Sequence, residues 1–317
     1  MPSATWAAGR AAAPRYPELA ARGERWELRR GEGGYPRALL DLERGAATIR
    51  GIGDASCLLG PCVSIIGARK ATPYGLACAR LAGRACAECG ITVVTGGAYG
   101  CDHEASRAAL DAGGRTVVVP GCGADRLYPS TSDDVFCEAA GGRGCVLSVE
   151  EWGTGPRRYT FVRRNAVIAA LSASLVVCEA GRPSGTFGTA TTAAELGRNV
   201  YAVPGSIFSP LSAGTNWLIE NGASVIADEL ALEQLLSLDY GVLRLSGGAA
   251  PERADELGRA LAASPMAPDE LASHLGEGIS ETLVMLAELE ALGVVERLVD
   301  GRFALSKEEL LGQNRRA

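Results

Sequence analysis

The chain has 317 residues, 47% of them hydrophobic and 21% charged, with 41 glycines and a formal net charge of −6. That length predicts about two domains and a sizeable core, and the negative balance excludes a protein that coats nucleic acid by bulk charge, leaving only local basic patches. No apolar run approaches the ~20 residues of a membrane span, and the opening MPSATWAAGRAAAPR lacks the apolar stretch of a signal peptide, so a cytoplasmic protein is expected.

Residues 1–60 read as a short N-terminal extension. Within it Trp26 to Leu28 suggests a short strand, Tyr35-Pro36 to Leu40 a helix start, and Arg10 to Arg30 a partly flexible stretch. From Cys62 the pattern sharpens. Short, β-branched, apolar runs at 62–66, 91–94, 115–119, 145–148, 174–178, 199–203 and 223–226 predict strands buried on both faces. Alanine-rich helices such as Gly75–Cys89, His103–Ala112 and Thr189–Leu196 lie between them. The alternation predicts an α/β fold with a doubly wound, mainly parallel sheet over 61–236, whose ligands bind beyond the carboxyl ends of the strands.

The loops at those ends are glycine-rich: Gly67-Ala68-Arg69, Thr95 to Gly100, Pro120 to Gly123, and Gly181 to Thr186. None forms GxGxxG, and GxxxxGK[ST] is absent from the chain, so neither a standard dinucleotide site nor a P-loop is supported. The densest stretch is Arg163 to Ala190. It reads as a basic helix start (Arg163, Arg164, Asn165), a strand from Ser174 to Cys178, and a Ser184-Gly185-Thr186 turn opening a helix. Free N–H groups and a hydroxyl at such a turn hold phosphate, and a glycine permits close approach. Two anion-binding devices thus flank one strand and predict a phosphate-bearing ligand.

A helix over Asp228–Leu236 precedes a linker, 237–251, that ends Ser246-Gly-Gly-Ala-Ala-Pro251. Small helices at about 252–263, 268–275 and 279–292 follow, then two short strands around Asp300-Gly301, a strong hairpin signal. Three helices and a hairpin describe a small winged-helix-like domain over 252–311. Its third helix carries Glu281, Glu288 and Glu290 and no Lys or Arg, so it repels phosphates and the domain reads as a protein-docking or packing module. Leu283, Leu286 and Leu289 in that helix are most simply core. Most of the ten cysteines fall in apolar strands or helices, where a thiol acts as a small hydrophobe. Cys86 and Cys89 have CxxC spacing without a second pair, so no metal site is expected.

An ordered series of motifs resembles one family, the DNA-processing protein DprA, also called Smf. The series is GARKATPYG (67–75), TGGAYGCD (95–102), GCGADRLYP (121–129), FVRRNAVIAALS (161–172), SGTFGTA (184–190), AVPG (202–205) and GTNWLIENGA (214–223). The resemblance covers about Tyr35 to Leu305. It implies an extended Rossmann-like domain that binds single-stranded DNA, a homodimer, delivery of incoming DNA to the RecA recombinase in natural transformation, no cofactor and no catalytic turnover. By the same resemblance Arg69 faces the DNA backbone, Arg164 and Asn165 match an Arg-Asn pair, and Ser184-Gly185-Thr186 matches a Ser-Gly-Ser turn. Phe161 matches an aromatic able to stack on a base, as single-strand sites require. Arg163 and the loop glycines Gly67, Gly96 and Gly97 complete the expected DNA-facing set.

The chain departs from the family pattern at Val162 (usually Pro), Ala166 (a second Arg) and Ser106 (often His), and a helical SAM-like N-terminal domain is reduced or absent. Structural alternatives stand beside the functional ones. Arg163 and Arg164 can cap carboxylates such as Glu150 and Glu151, and Gly96-Gly97 can serve tight turns alone. Asp102 reads as the N-cap of the following helix rather than a catalytic acid, and His103 as a surface residue. Tyr99 and Tyr128 fit either role. The competing function is a nucleotide-binding, phosphoribohydrolase-like enzyme on the same fold. Its GGxGTxxE signature needs a carboxylate where Thr189 stands, and threonine is no general acid or base near neutral pH.

Overall fold

Apolar side chains on both faces make the run Cys62–Ile66 the central strand of the sheet (β3), with all five residues buried. The computed structural model describes residue 19 and residues 23–43, 45–242 and 253–306. Thr92–Thr95 (β4), Thr116–Val118 (β5), Gly144–Ser148 (β6) and Ser174–Val177 (β7) are buried throughout as well. Fully burying a valine or isoleucine contributes roughly 1.5–3 kcal/mol, so these short strands hold the fold despite their length. Asn199–Ala202 (β8) and Ser224–Val225 (β9) continue the sheet to an edge.

The segment before residue 61 adds two strands to the same sheet. Arg25–Arg29 (β1) and Thr48–Gly53 (β2) pair antiparallel, and β2 pairs antiparallel with β6. The sheet therefore crosses the boundary expected at residue 60, and Arg25–Arg29 is an ordered edge strand rather than part of a flexible stretch. Trp26 lies opposite Gly51, where a Cβ would overlap its indole ring, and its Nε1 donates to Gly53 O at 2.9 Å. Residues 10–18 and 20–22 lie outside the described residues.

The strand order is β1-β2-β6-β5-β4-β3-β7-β8-β9, parallel from β6 to β9. The chain moves outward from β3 to β6, then returns to lay β7 on the other side of β3. The switch point between β3 and β7 opens a crevice at the strands' carboxyl ends. On one face Pro73–Glu88 (α1), Cys101–Asp111 (α2) and Glu229–Tyr240 (α7) bury Ala79, Ala82, Ala105, Leu232 and Leu236. On the other, Arg158–Leu171 (α4), Thr186–Glu195 (α5) and Ala213–Glu220 (α6) bury Val167, Ile168, Ala190 and Leu218. Asp133–Glu138 (α3) closes one end with Val135 and Phe136. This is the doubly wound, mainly parallel architecture expected from the strand and helix periods.

One helix start differs from expectation. α4 begins at Arg158, so Arg163, Arg164 and Asn165 sit in its second turn and not at its start. The earlier start is fixed by Thr160, whose Oγ1 accepts the Arg157 N–H at 3.0 Å and donates to Gly121 O at 2.5 Å.

Beyond residue 252 come Arg253–Ala263 (α8), Pro268–Leu275 (α9), Ile279–Ala291 (α10) and a hairpin of Val295–Arg297 (β10) with Phe303–Leu305 (β11). These bury a separate small core of Leu257, Leu261, Leu271, Leu286, Val295 and Phe303. Ala77 of α1 packs against that core, and Arg259 pairs with Glu229 at 2.8 Å. Leu283, expected in the core, is 46% exposed, because the inward arc of α10 runs through Thr282, Leu286 and Leu289. Of the expected linker, 237–251, residues 237–240 belong to α7 and 243–251 lie outside the described residues.

Candidate nucleic-acid interface

The crevice at the switch point holds a cleft of about 90 Å³ lined by Arg69, Gly96, Ala98, Tyr99, Gly121, Tyr128, Pro129, Phe161 and Arg164. Three loops and one helix converge here: those after β3, β4 and β5, and the second turn of α4. Phe161 is the centrepiece. The Arg69 guanidinium lies 5.8 Å from its ring centroid and that of Arg164 lies 5.6 Å away, both within cation–π reach. Tyr128 meets the same ring edge-on at 6.1 Å. A Cβ on Gly121 would stand 2.6 Å from the Phe161 ring, so glycine is what admits the aromatic there.

Arg164 is only 7% exposed, and among the described residues its Nε has no hydrogen-bond partner. Its charge is balanced by Asp102, itself buried. Burial pulls the Arg164 pKa down against the attraction of Asp102, and burial pushes the Asp102 pKa up against the attraction of Arg164. Asp102 does not cap its own helix; Gly100 (φ +89°) occupies the N-cap of α2. Its carboxylate accepts the N–H of Gly96 at 3.0 Å and of Gly67 at 3.3 Å, tying the loops after β3 and β4 to the base of Arg164. Gly96 is indispensable to this arrangement, since a Cβ there would overlap Arg164 Nη1 and stand 2.8 Å from Asp102 Oδ2.

The second device lies beside the first. Ser184 Oγ accepts the Thr186 N–H at 3.2 Å and forms the turn that opens α5. Asn165 Nδ2 donates to Gly185 O at 3.5 Å, a long hydrogen bond that joins α4 to this turn. Gly185 is exposed, and a Cβ there would meet nothing within 4 Å. Packing therefore does not require glycine at 185, in contrast to 96 and 121. The open surface leaves room for a ligand atom beside the start of a helix, where the dipole favours anions.

The structure brings Arg69, Gly96, Phe161 and Arg164 together at the cleft and sets Asn165, Ser184, Gly185 and Thr186 next to them. Three other expected residues do not line the cleft. Arg163 pairs with the buried Glu150 at 3.0 Å. Gly97 (φ +65°) faces Phe136 and Val118, and Gly67 packs against Cys101. Tyr128, Gly121 and Tyr99, the last 44% exposed, are cleft residues outside the expected set. A tyrosine within a glycine-rich strand-end loop was the available signal.

The polar neighbourhood also differs from expectation. His103 is wedged between Asp134 (Nε2, 3.0 Å) and Glu104 (Nδ1, 3.5 Å) rather than free on the surface. Burial works to lower its pKa, but the hydrogen bonds to the two carboxylates outweigh it and raise it to about 9. Ser106 is buried and bonds the hydroxyls of Thr95 and Thr116, so a hydroxyl cluster fills the place where the resemblance leads one to expect a histidine. Thr189 is buried on α5.

Among the described residues no helix is long and apolar enough to cross a membrane. The sequence model of DNA recombination-mediator protein A matches residues 27–237, and that of the DprA winged helix domain matches residues 246–301. The Escherichia coli protein Smf is 30% identical over 257 residues, covering 77% of this chain and 68% of that protein. A putative DNA processing protein DprA of Mycobacterium tuberculosis is 40% identical over 169 residues, 53% of this chain, and this chain spans only 43% of that relative's length. The solved structure of DprA from Streptococcus pneumoniae superposes with a TM-score of 0.62 at 31% identity, covering 65% of this chain and 72% of that one. DprA from Helicobacter pylori, a structure described for its single-stranded DNA binding mode, superposes with a TM-score of 0.63 at 29% identity, covering 70% and 99%. The chain belongs to the DNA recombination-mediator protein A (DprA, Smf) family.

Proposed function

We propose that this chain binds single-stranded DNA across the β3/β7 crevice and acts as a recombination mediator without catalytic turnover. The observation that carries the reading is Arg164, a buried guanidinium that lines the cleft beside the Phe161 ring and the Asn165–Gly185 link, its Nε without a hydrogen-bond partner among the described residues. Arg69, exposed over the same ring, meets the phosphate backbone, and the Ser184–Thr186 turn holds a second phosphate. Phe161 and its tyrosine neighbours supply π-faces, on which bases stack without regard to sequence. As a mediator the chain acts in the cytoplasm as a homodimer, protects incoming DNA and delivers it to the RecA recombinase. Its DNA-binding unit is the domain built on the nine-stranded sheet, joined to the winged-helix-like domain. A buried threonine at position 189 supplies no acid or base for the phosphoribohydrolase alternative.

The test is fluorescence anisotropy of a labelled oligo-dT over a salt series, with wild type and Arg69→Ala. Phosphate neutralisation releases counterions, so affinity falls with salt, and removing one phosphate contact lowers the log–log slope by about 1. A flat salt dependence, or an unchanged slope in Arg69→Ala, contradicts the reading. Release of free base from nucleoside monophosphates at enzymatic rates favours the enzyme instead.

A further inference from the structure

The helix α10 is apolar on two sides. Its inner side sends Met285, Leu286 and Leu289 into the small C-terminal core. Its outer side exposes Leu283 at 46% and Val284 at 59%, and Ala287 and Ala291 continue the same face in the open. Ile279 and Leu292, 50% and 70% exposed, extend the patch at its two ends. The spacing of 283, 284, 287 and 291 is that of a helix-packing stripe. An apolar stripe of this kind on a helix packs against a neighbour in its working state, and among the described residues nothing covers the outer one.

The charge around the stripe selects what covers it. Residues 256–306 hold nine acidic and three basic side chains, a net of −6 that equals the net charge of the whole chain. Glu281, Glu288 and Glu290 are exposed on α10 itself. The three arginines are engaged elsewhere: Arg259 with Glu229, Arg302 with Asp300, and Arg297 over the Phe303 ring. In a winged helix that reads DNA this third helix enters the groove, but phosphates are repelled from an acidic face. A second copy of the same module brings −6 against −6. Charge complementarity leaves a cationic occupant, and the stripe requires that occupant to be amphipathic.

We propose that the outer face of α10 docks a basic amphipathic helix of a partner protein, with apolar side chains on the Leu283/Val284 stripe and Lys or Arg against the flanking glutamates. The docking is separate from the β3/β7 crevice and stands whether or not that crevice binds DNA.

The test uses the full chain and two fluorescein-labelled peptides of one Leu/Lys composition, one patterned as an amphipathic helix of about four turns and one scrambled. The patterned peptide is expected to bind at least about tenfold more tightly. Leu283→Gln/Val284→Gln is expected to reduce that binding about tenfold, and Glu281→Gln/Glu288→Gln to weaken it and flatten its salt dependence. These positions are exposed, so the variants keep the wild-type unfolding transition, and the comparison of the two peptides needs no variant at all. Equal binding of both peptides, or an unchanged affinity in Leu283→Gln/Val284→Gln, overturns the proposal. So does a sedimentation coefficient of the chain alone that falls in that variant, which assigns the face to a second copy. Duplex DNA binding lost in the same variant assigns it to nucleic acid and overturns the proposal equally.

Discussion

Gly96→Ala is a one-carbon change that the structure does not accommodate at the cleft. The added Cβ would overlap Arg164 Nη1 and crowd Asp102 Oδ2 at 2.8 Å. A guanidinium sits at the end of a flexible side chain and can swing away, so the cost is set by what it leaves behind. Asp102 is 5% exposed and relies on Arg164 to balance its charge. Overpacking in place costs about 1–3 kcal/mol, and moving the Arg164 charge away from a buried carboxylate adds to it. A loss of about 3 kcal/mol follows, read as a lower urea midpoint at unchanged slope. Arg164 also leaves the ligand, which forfeits a charge-assisted hydrogen bond of about 1.5–3 kcal/mol, or roughly 10- to 100-fold in oligo-dT affinity. Gly185→Ala is the control: its Cβ enters open space, so stability changes by less than about 1 kcal/mol. If Gly96→Ala unfolds at the wild-type midpoint and binds oligo-dT as tightly, Arg164 is not held as described and the reasoning fails.

Arg163→Ala, which breaks only the pair with Glu150, is expected to leave oligo-dT affinity within about twofold by anisotropy, whereas Arg69→Ala weakens it. Equal losses in the two would put Arg163 back at the ligand. Asp102→Asn removes the negative charge beside buried Arg164 and is expected to cost about 1–3 kcal/mol in urea unfolding. His103 has a folded-state pKa of about 9 against an ordinary 6.5, so its ion pairs contribute fully below pH 6.5 and their contribution is lost as pH rises through about 9. Discounted for its partial exposure, that contribution is about 2 kcal/mol. His103→Gln should abolish this part of the pH dependence of urea unfolding, and an unchanged profile would locate it in other groups.

The parallel half of the sheet was legible because strands buried on both faces read as unbroken β-branched runs, as in Cys62–Ile66 and Ser174–Val177. β2 was not, since Thr48–Gly53 carries Arg50 and two glycines, and Gly51 is small to seat Trp26 and not to make a turn. The start of α4 was hidden for a similar reason. Arg157, Arg158 and Tyr159 carry no apolar period, and the first turn is fixed by Thr160 reaching a loop 39 residues earlier. At the site, motif order located Arg69, Phe161, Arg164 and the Ser184–Thr186 turn. The sequence did not show that Arg163 and Arg164 part company, because neighbours on a helix point about 100° apart, one to the cleft and one to Glu150. Asp102 looked like a local cap, yet its carboxylate serves Gly67 and Gly96 across two loops. Contacts of that range leave no periodic trace in the chain.

The most direct test of where DNA lies is hydrogen–deuterium exchange of the full chain with and without saturating oligo-dT at low salt. Binding at the crevice predicts slowed exchange in the segments 67–70, 96–99, 121–129, 160–165 and 184–188, with α10 and the C-terminal hairpin unchanged. Slowed exchange confined to 279–306, or none in those five segments while oligo-dT is bound, would contradict the account.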